Sequence, residues 1–129
     1  MLRRGPRRII LDTHIFLWAL SDPGRIEPGR LVEIETQANI VYVSSISIAE
    51  VMMKASIGKL KVNFDYVELA RQSGFELLDF RSEEALVLRD LPFHHRDPFD
   101  RMLIAQSITN QYPIATDDPQ FQPYDCRLI

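Results

Sequence analysis

The sequence predicts a three-layer α/β/α sandwich, with a central parallel sheet of four or five short strands and helices on both faces. Three observations predict it. Each β-branched apolar run is short and unbroken, as strands covered on both faces are, instead of alternating apolar with polar. A stretch of helical character separates each run from the next, which is the pattern of parallel strands joined by crossovers. Gly, Pro, Ser and Asp gather at the joints. The 129 residues fit one domain, 1–129, under a length prior of roughly 100–200 residues per domain.

In order, Ile9-Ile10-Leu11 before Asp12-Thr13 is a buried strand that ends at a polar turn. Ile15 to Leu20 continues as an apolar helix, stopped by Ser21-Asp22-Pro23-Gly24. Leu31 to Glu35 is a second helix, and Ile40 to Val43 a second strand ending at Ser44-Ser45. Ser47 to Ala55 is a helix closed by Gly58, and Phe64 to Gln72 another, closed by Ser73-Gly74. Phe75 to Leu78 is the third strand, followed by a helix over Ser82 to Asp90 with Glu83 and Glu84 in its first turn. The long helix to about Asn110 starts at Asp97-Pro98, an acidic cap and a proline where the helix has no use for an N–H. Tyr112 to Ala115 is the fourth strand, with its proline near the start. Arg127-Leu128-Ile129 offers a fifth at the edge, and Arg3, Arg4, Arg7 and Arg8 make residues 1–8 a flexible basic segment.

Composition excludes several classes. A 46% hydrophobic, 26% charged chain with a net charge of −3 is an ordinary globular protein, not a basic nucleic-acid coat. The single Cys126 excludes an internal disulfide and fits a reducing compartment. The apolar run at Ile9 is too short for a secretory core or a membrane span, so no membrane is expected and the protein reads as cytoplasmic. There is no P-loop, no dinucleotide fingerprint, no Cys/His zinc spacing and no G-x-S-x-G elbow.

The acids carry the chemistry. Ligands of an open parallel sheet bind outside the carboxyl ends of its strands. Asp12 directly follows the first strand, Asp118 follows the fourth, and Glu50 and Asp100 lie early in helices that meet the same edge. Each has an ordinary structural use. Asp12, Asp97 and Asp118 can cap helices, and Ser47-x-x-Glu50 has the form of a capping box. Together they are harder to dismiss, because clustered carboxylates repel and raise one another's pKa unless a cation neutralises them. Mg²⁺ uses one or two carboxylates plus water and substrate phosphate, which suits phosphodiester hydrolysis.

Four stretches now resemble those of PIN-domain ribonucleases, specifically the VapC-like toxins of bacterial type II toxin–antitoxin pairs. They are Leu11-Asp12-Thr13-His14-x-x-Leu17-Trp18, Ser45-x-Ser47-x-x-Glu50-Val51, Arg96-Asp97-Pro98-Phe99-Asp100-Arg101-x-Leu103-x-Ala105-Gln106 and Thr116-x-Asp118-x-x-Phe121. They occur in the family's order and span nearly the whole chain. The resemblance implies a metal-dependent endoribonuclease using Mg²⁺ or Mn²⁺, a homodimer, and a cognate antitoxin whose C-terminal peptide covers the site. It implies Asp12, Glu50, Asp100 and Asp118 as the acidic site, with Asp12 and Asp100 holding the principal metal. Glu50 and Asp118 would complete its shell or orient water, and Thr13 and Thr116 would support it by hydrogen bonding.

Other residues border these motifs. Asp117 competes with Asp118 for the inward position, and Asp97 is the helix cap with a possible contact to metal-bound water. Arg96 and Arg101 are candidates for substrate phosphates, and His94 and His95 read as loop-structural residues beside the site. Two rivals stand. A metal-dependent phosphatase would use Asp12 as nucleophile, although such enzymes favour Asp-x-Asp and His14 occupies the second place. A non-catalytic partner-binding module would need the acids only as caps.

Overall fold

A computed structural model describes residues 5–60 and 64–129. Four parallel strands form one sheet: β1 (Arg8–Leu11), β2 (Ile40–Ser44), β3 (Glu76–Leu78) and β4 (Ile114–Ala115), in the order β3-β2-β1-β4. The connections are α1 (Thr13–Ser21), α2 (Pro28–Glu35), α3 (Ser45–Ser56), α4 (Tyr66–Gln72), α5 (Ser82–Leu86) and α6 (Pro98–Asn110). The order is that of an α/β/α sandwich, as the unbroken apolar runs required. Register pairs Ile9 with Val41, Ile10 with Ile114, and Val43 with Leu77.

Successive strand residues face opposite layers. Ile9, Leu11, Val41 and Val43 pack with Phe16, Val51 and Phe75 on one side. Ile10, Tyr42 and Ile114 pack with Leu103, Ile104 and Phe121 on the other. Ile9, Ile10 and Leu11 have no exposed surface, and each such side chain contributes about 1.5–3 kcal/mol of burial.

Several boundaries differ from expectation for identifiable reasons. The expected fifth strand is a single parallel bridge, Ile114 to Leu128, beyond β4. β4 begins only at Ile114, and Pro113, which has no N–H, contributes its carbonyl to Ile10 N. The helix expected through Asp90 is α-helical only to Leu86, then tightens into a 3-10 turn at Val87–Arg89.

The serine that caps α3 is Ser44, whose hydroxyl accepts from Ile46 N. Ser47 is therefore inside the helix and the expected capping box with Glu50 does not form. The flexible segment was expected to run through residue 8, but Arg8 belongs to β1 and donates to the Tyr42 hydroxyl at 2.8 Å. Arg7 N–H donates to Asn39 Oδ1. Arg3 and Arg4 lie outside the described residues.

α5 and α6 are clamped by a buried acid. The Glu84 carboxylate accepts from Asn110 Nδ2 (2.9 Å), Arg81 Nε (3.0 Å) and Arg81 N (3.0 Å). Burial opposes its charge, yet these donors outweigh burial and hold the carboxyl below its ordinary value. Among the described residues no helix is long and apolar enough to cross a membrane.

Candidate active site

The strand order reverses beside β1, since β2 and β3 build outward on one side and β4 on the other. At such a switch point the helices leaving neighbouring strands diverge and open a crevice at the carboxyl edge. Asp12 stands at that edge after β1, and Thr116 and Asp118 stand there after β4.

Asp12 is almost fully buried. Its Oδ1 accepts from Ile15 N at 2.7 Å, which caps α1, and its Oδ2 accepts from the Thr116 hydroxyl. Burial raises its pKa, against the lowering effect of those two donors. Asp118 Oδ1 accepts from Gln120 N and so caps the turn Pro119–Phe121, leaving Oδ2 for the crevice. Asp117 is exposed, so of the two adjacent acids Asp118 is the one turned inward.

α6 opens as its sequence requires, with Pro98 first and Asp97 as cap, its Oδ1 accepting from Asp100 N at 3.0 Å. Asp100 caps nothing. Its carboxyl is pushed up to about 8 by burial first, then by the charges of Asp97, Glu50, Asp12 and Asp118. The charges of Asp12, Glu50, Asp97 and Asp118 therefore all reach Asp100.

Glu50 is buried and held at both oxygens. Thr13 Oγ1 donates to Oε1 at 2.7 Å and stands 2.9 Å from the Ser47 hydroxyl, while Lys54 Nζ reaches Oε2 at 2.7 Å. Thr13 and Thr116 thus donate to Glu50 and Asp12 respectively. Among the described residues, the donor atoms that converge within 4.8 Å of one another belong to His95, Asp100 and Asp118.

His95 is the residue that sequence reasoning undervalued. It is only 5% exposed, with Nε2 2.9 Å from Asp100 Oδ2 and 3.5 Å from Asp118 Oδ2. Neither approach has hydrogen-bond alignment, and Nε2 is left without a formed partner. No local signal marks it out from His94, because tertiary contacts alone bury its ring. Its neighbour His94 is exposed, its ring against Tyr124.

Arg101, one of the two candidates for a substrate phosphate, is engaged within the chain. Its guanidinium donates to the carbonyls of Leu91, Pro92 and His95, and so staples the loop that carries His95. Arg96 is exposed beside the helix start and remains a candidate for substrate.

The residues fit a divalent cation. Oxygen donors dominate, burial and neighbouring acids oppose the charge of Asp100, and a buried imidazole nitrogen beside them lacks a hydrogen-bond partner. Fold and crevice together define an α/β/α protein with a carboxylate site suited to metal-assisted phosphoester chemistry. The chain belongs to the PIN domain family, whose profile matches residues 9–125.

Among solved structures, the chain is similar to one from VapBC2 of Rickettsia felis bound to a DNA fragment from its promoter, with a TM-score of 0.71. The two are 19% identical, covering 95% of this chain and 97% of that one. It is also similar to one from DNA-bound VapBC of Salmonella typhimurium, with a TM-score of 0.65, 17% identity and coverage of 95% and 97%. A third likeness is to the PIN domain endonuclease Utp24, with a TM-score of 0.52, 19% identity and coverage of 91% and 75%. No curated protein matches the chain.

Proposed function

We propose that this protein is a divalent-metal-dependent endoribonuclease, the toxin of a toxin–antitoxin pair. One observation carries the reading: Asp100 sits among Asp12, Glu50, Asp97 and Asp118 at the sheet's switch point, and their charges help hold its carboxyl near 8. Capping explains Asp12, Asp97 and Asp118, but it explains neither Asp100 nor Glu50. A non-catalytic module would have no use for those two acids in one crevice. A phosphatase reading is disfavoured too, because such enzymes favour Asp-x-Asp and His14 stands in the second place.

Asp12, Asp100 and Asp118 would hold the cation, with Glu50 behind them. Bound there, Mg²⁺ or Mn²⁺ supplies positive charge to the scissile phosphate and acidifies water at the site. Thr116 keeps Asp12 in place, and Thr13 and Lys54 keep Glu50 in place. Arg96, exposed at the α6 start, would bind an RNA phosphate beside the crevice. The antitoxin partner is supported by the likeness to the VapBC2 and VapBC structures. A homodimer is part of the same reading.

RNA incubated with the purified protein and Mg²⁺ or Mn²⁺ should be cut, and EDTA should stop it. Asp12→Asn and Asp100→Asn should each abolish cleavage with the fold retained by circular dichroism. Undiminished cleavage in both variants would falsify the site.

A further inference from the structure

We propose that the exposed ring of Phe93, backed by Arg101, is a platform on which a base of single-stranded RNA stacks beside the acidic crevice. The proposal deepens the ribonuclease reading above and rests on it. Phe93 is 71% exposed, in the loop that precedes α6. A lone exposed apolar side chain needs no explanation by itself. This one differs in being held, and in what surrounds it.

Arg101 does the holding. Its Cζ stands 4.3 Å from the centre of the Phe93 ring, a cation–π distance. The guanidinium is itself anchored, because Nη1 donates to Pro92 O at 3.0 Å and Nη2 to Leu91 O at 3.3 Å. One face of the ring therefore rests on a plane fixed by the backbone of its own loop. With most of its surface exposed, the ring keeps the opposite face open to solvent. A ring ordered on one face and free on the other takes a second flat ring without losing further freedom of its own.

The surroundings favour nucleic acid. Leu88, Arg96, Pro98 and Met102 join Phe93 and Arg101 around a cavity of about 360 Å³. Ligand pockets run from roughly 300 to 1,000 Å³, so this one suits a single base and not a helix. Pro98 and Arg101 belong to the same helical turn as Asp100. A strand with its phosphate at the crevice thus brings a neighbouring base to the cavity. Arg96, assigned above to an RNA phosphate, is part of the cavity wall. Among the described residues no acid forms an ion pair with it.

A second copy of the chain fits this face less well. Two-fold pairing would set Arg96 and Arg101 against their own copies, like charge against like. RNA uses both halves of the patch, with a flat base for Phe93 and a phosphate for Arg96. Stacking of this kind tolerates any base, because every base has a π-face.

The test uses the whole chain with Mg²⁺ and a labelled single-stranded RNA of mixed sequence. Affinity is read by fluorescence anisotropy at early times, before cleavage. Phe93→Leu, which stays apolar and loses the flat ring, should bind about 5–150-fold more weakly. Phe93→Tyr should keep the affinity. An abasic nucleotide moved along the strand should weaken binding to the unaltered protein by a similar factor at one position. At that position it should make no further difference to Phe93→Leu. Iodouracil placed there should crosslink to Phe93 of the unaltered protein under light, as mapped by mass spectrometry.

Unchanged affinity in Phe93→Leu, equal abasic penalties in the two proteins, or a crosslink elsewhere would overturn the proposal. So would a changed sedimentation mass with RNA affinity intact, which would assign the patch to a protein contact. If Phe93→Leu does not fold, the crosslink on the unaltered protein decides. No RNA binding at all would overturn the ribonuclease reading together with this one. Stacking as described without cleavage would refute only the ribonuclease.

Discussion

Replacing Asp100 by Asn should stabilise the metal-free protein while destroying its activity. The carboxyl is lifted from 3.8 to about 8 in the folded chain. Below pH 4 it is neutral in both folded and unfolded states and costs nothing. As pH rises toward 8 the unfolded chain ionises while the folded one resists, so stability falls at ~1.4 kcal/mol per pH unit. Above 8 both forms are ionised and the loss levels off.

At pH 7 the loss reaches at most about 4 kcal/mol, and relaxation of the crevice brings the expected value to roughly 2–4 kcal/mol. The side chain is only 20% exposed, so solvent screening removes little of it. Asn has the same shape and no charge. Urea unfolding in EDTA at pH 5, 7 and 8.5 should show Asp100→Asn gaining on the wild type as pH rises, then holding a constant lead. Added Mn²⁺ should raise the wild-type midpoint and leave the variant's unchanged. A variant less stable than wild type at pH 7, or a lead independent of pH, refutes the electrostatic account of the site.

Three further outcomes follow from the same contacts. Lys54→Met removes the partner of Glu50; because Lys54 is 44% exposed the cost in EDTA should be only about 0.5–1 kcal/mol, and Mn²⁺ affinity by calorimetry should rise. Thr116→Val takes the hydroxyl from buried Asp12 and should cost about 1–3 kcal/mol in chemical denaturation, with cleavage reduced. Glu84→Gln keeps the shape of the α5–α6 clamp but not its charge, and should be roughly 1.5–3 kcal/mol less stable at pH 7. Since the folded Glu84 pKa lies below the ordinary 4.5, that contribution is present above 4.5 and lost as pH falls through the folded value. The two proteins should therefore converge in acid denaturation.

The strands were legible because burial on both faces leaves a plain mark: Ile9-Ile10-Leu11 and Ile40-Val41-Tyr42-Val43 cannot serve as one-sided strands. Asp97-Pro98 was legible for a different reason, since its local chemistry determines the helix start without reference to the rest of the chain. Ser44 and Ser47 show where local rules stop. Both are plausible caps in sequence, and only the exit angle of β2 chooses Ser44 and turns Ser47 toward Thr13. Arg101 and His95 depended on tertiary contacts alone. An arginine four residues past a helix cap looks free for phosphate until the loop Leu91–His95 folds over it. Nothing local separates His94 from His95: both backbone N–H groups donate to the Tyr124 hydroxyl, and the rings differ because that of His95 turns in against Phe121 while that of His94 stays exposed.

Asp12 and Thr116 lie 104 positions apart in sequence, and their contact depends on β4 pairing with β1. Loop-closure entropy opposes that pairing more than any local step. A chain emerging from the ribosome can complete β1, β2 and β3 and bury one face of the sheet before β4 exists. The crevice is then only half built. On the proposed reading, the capacity to cut RNA would be a property of the finished topology, acquired at the last docking event, and a synthesising cell would be exposed to it only after the scaffold is closed.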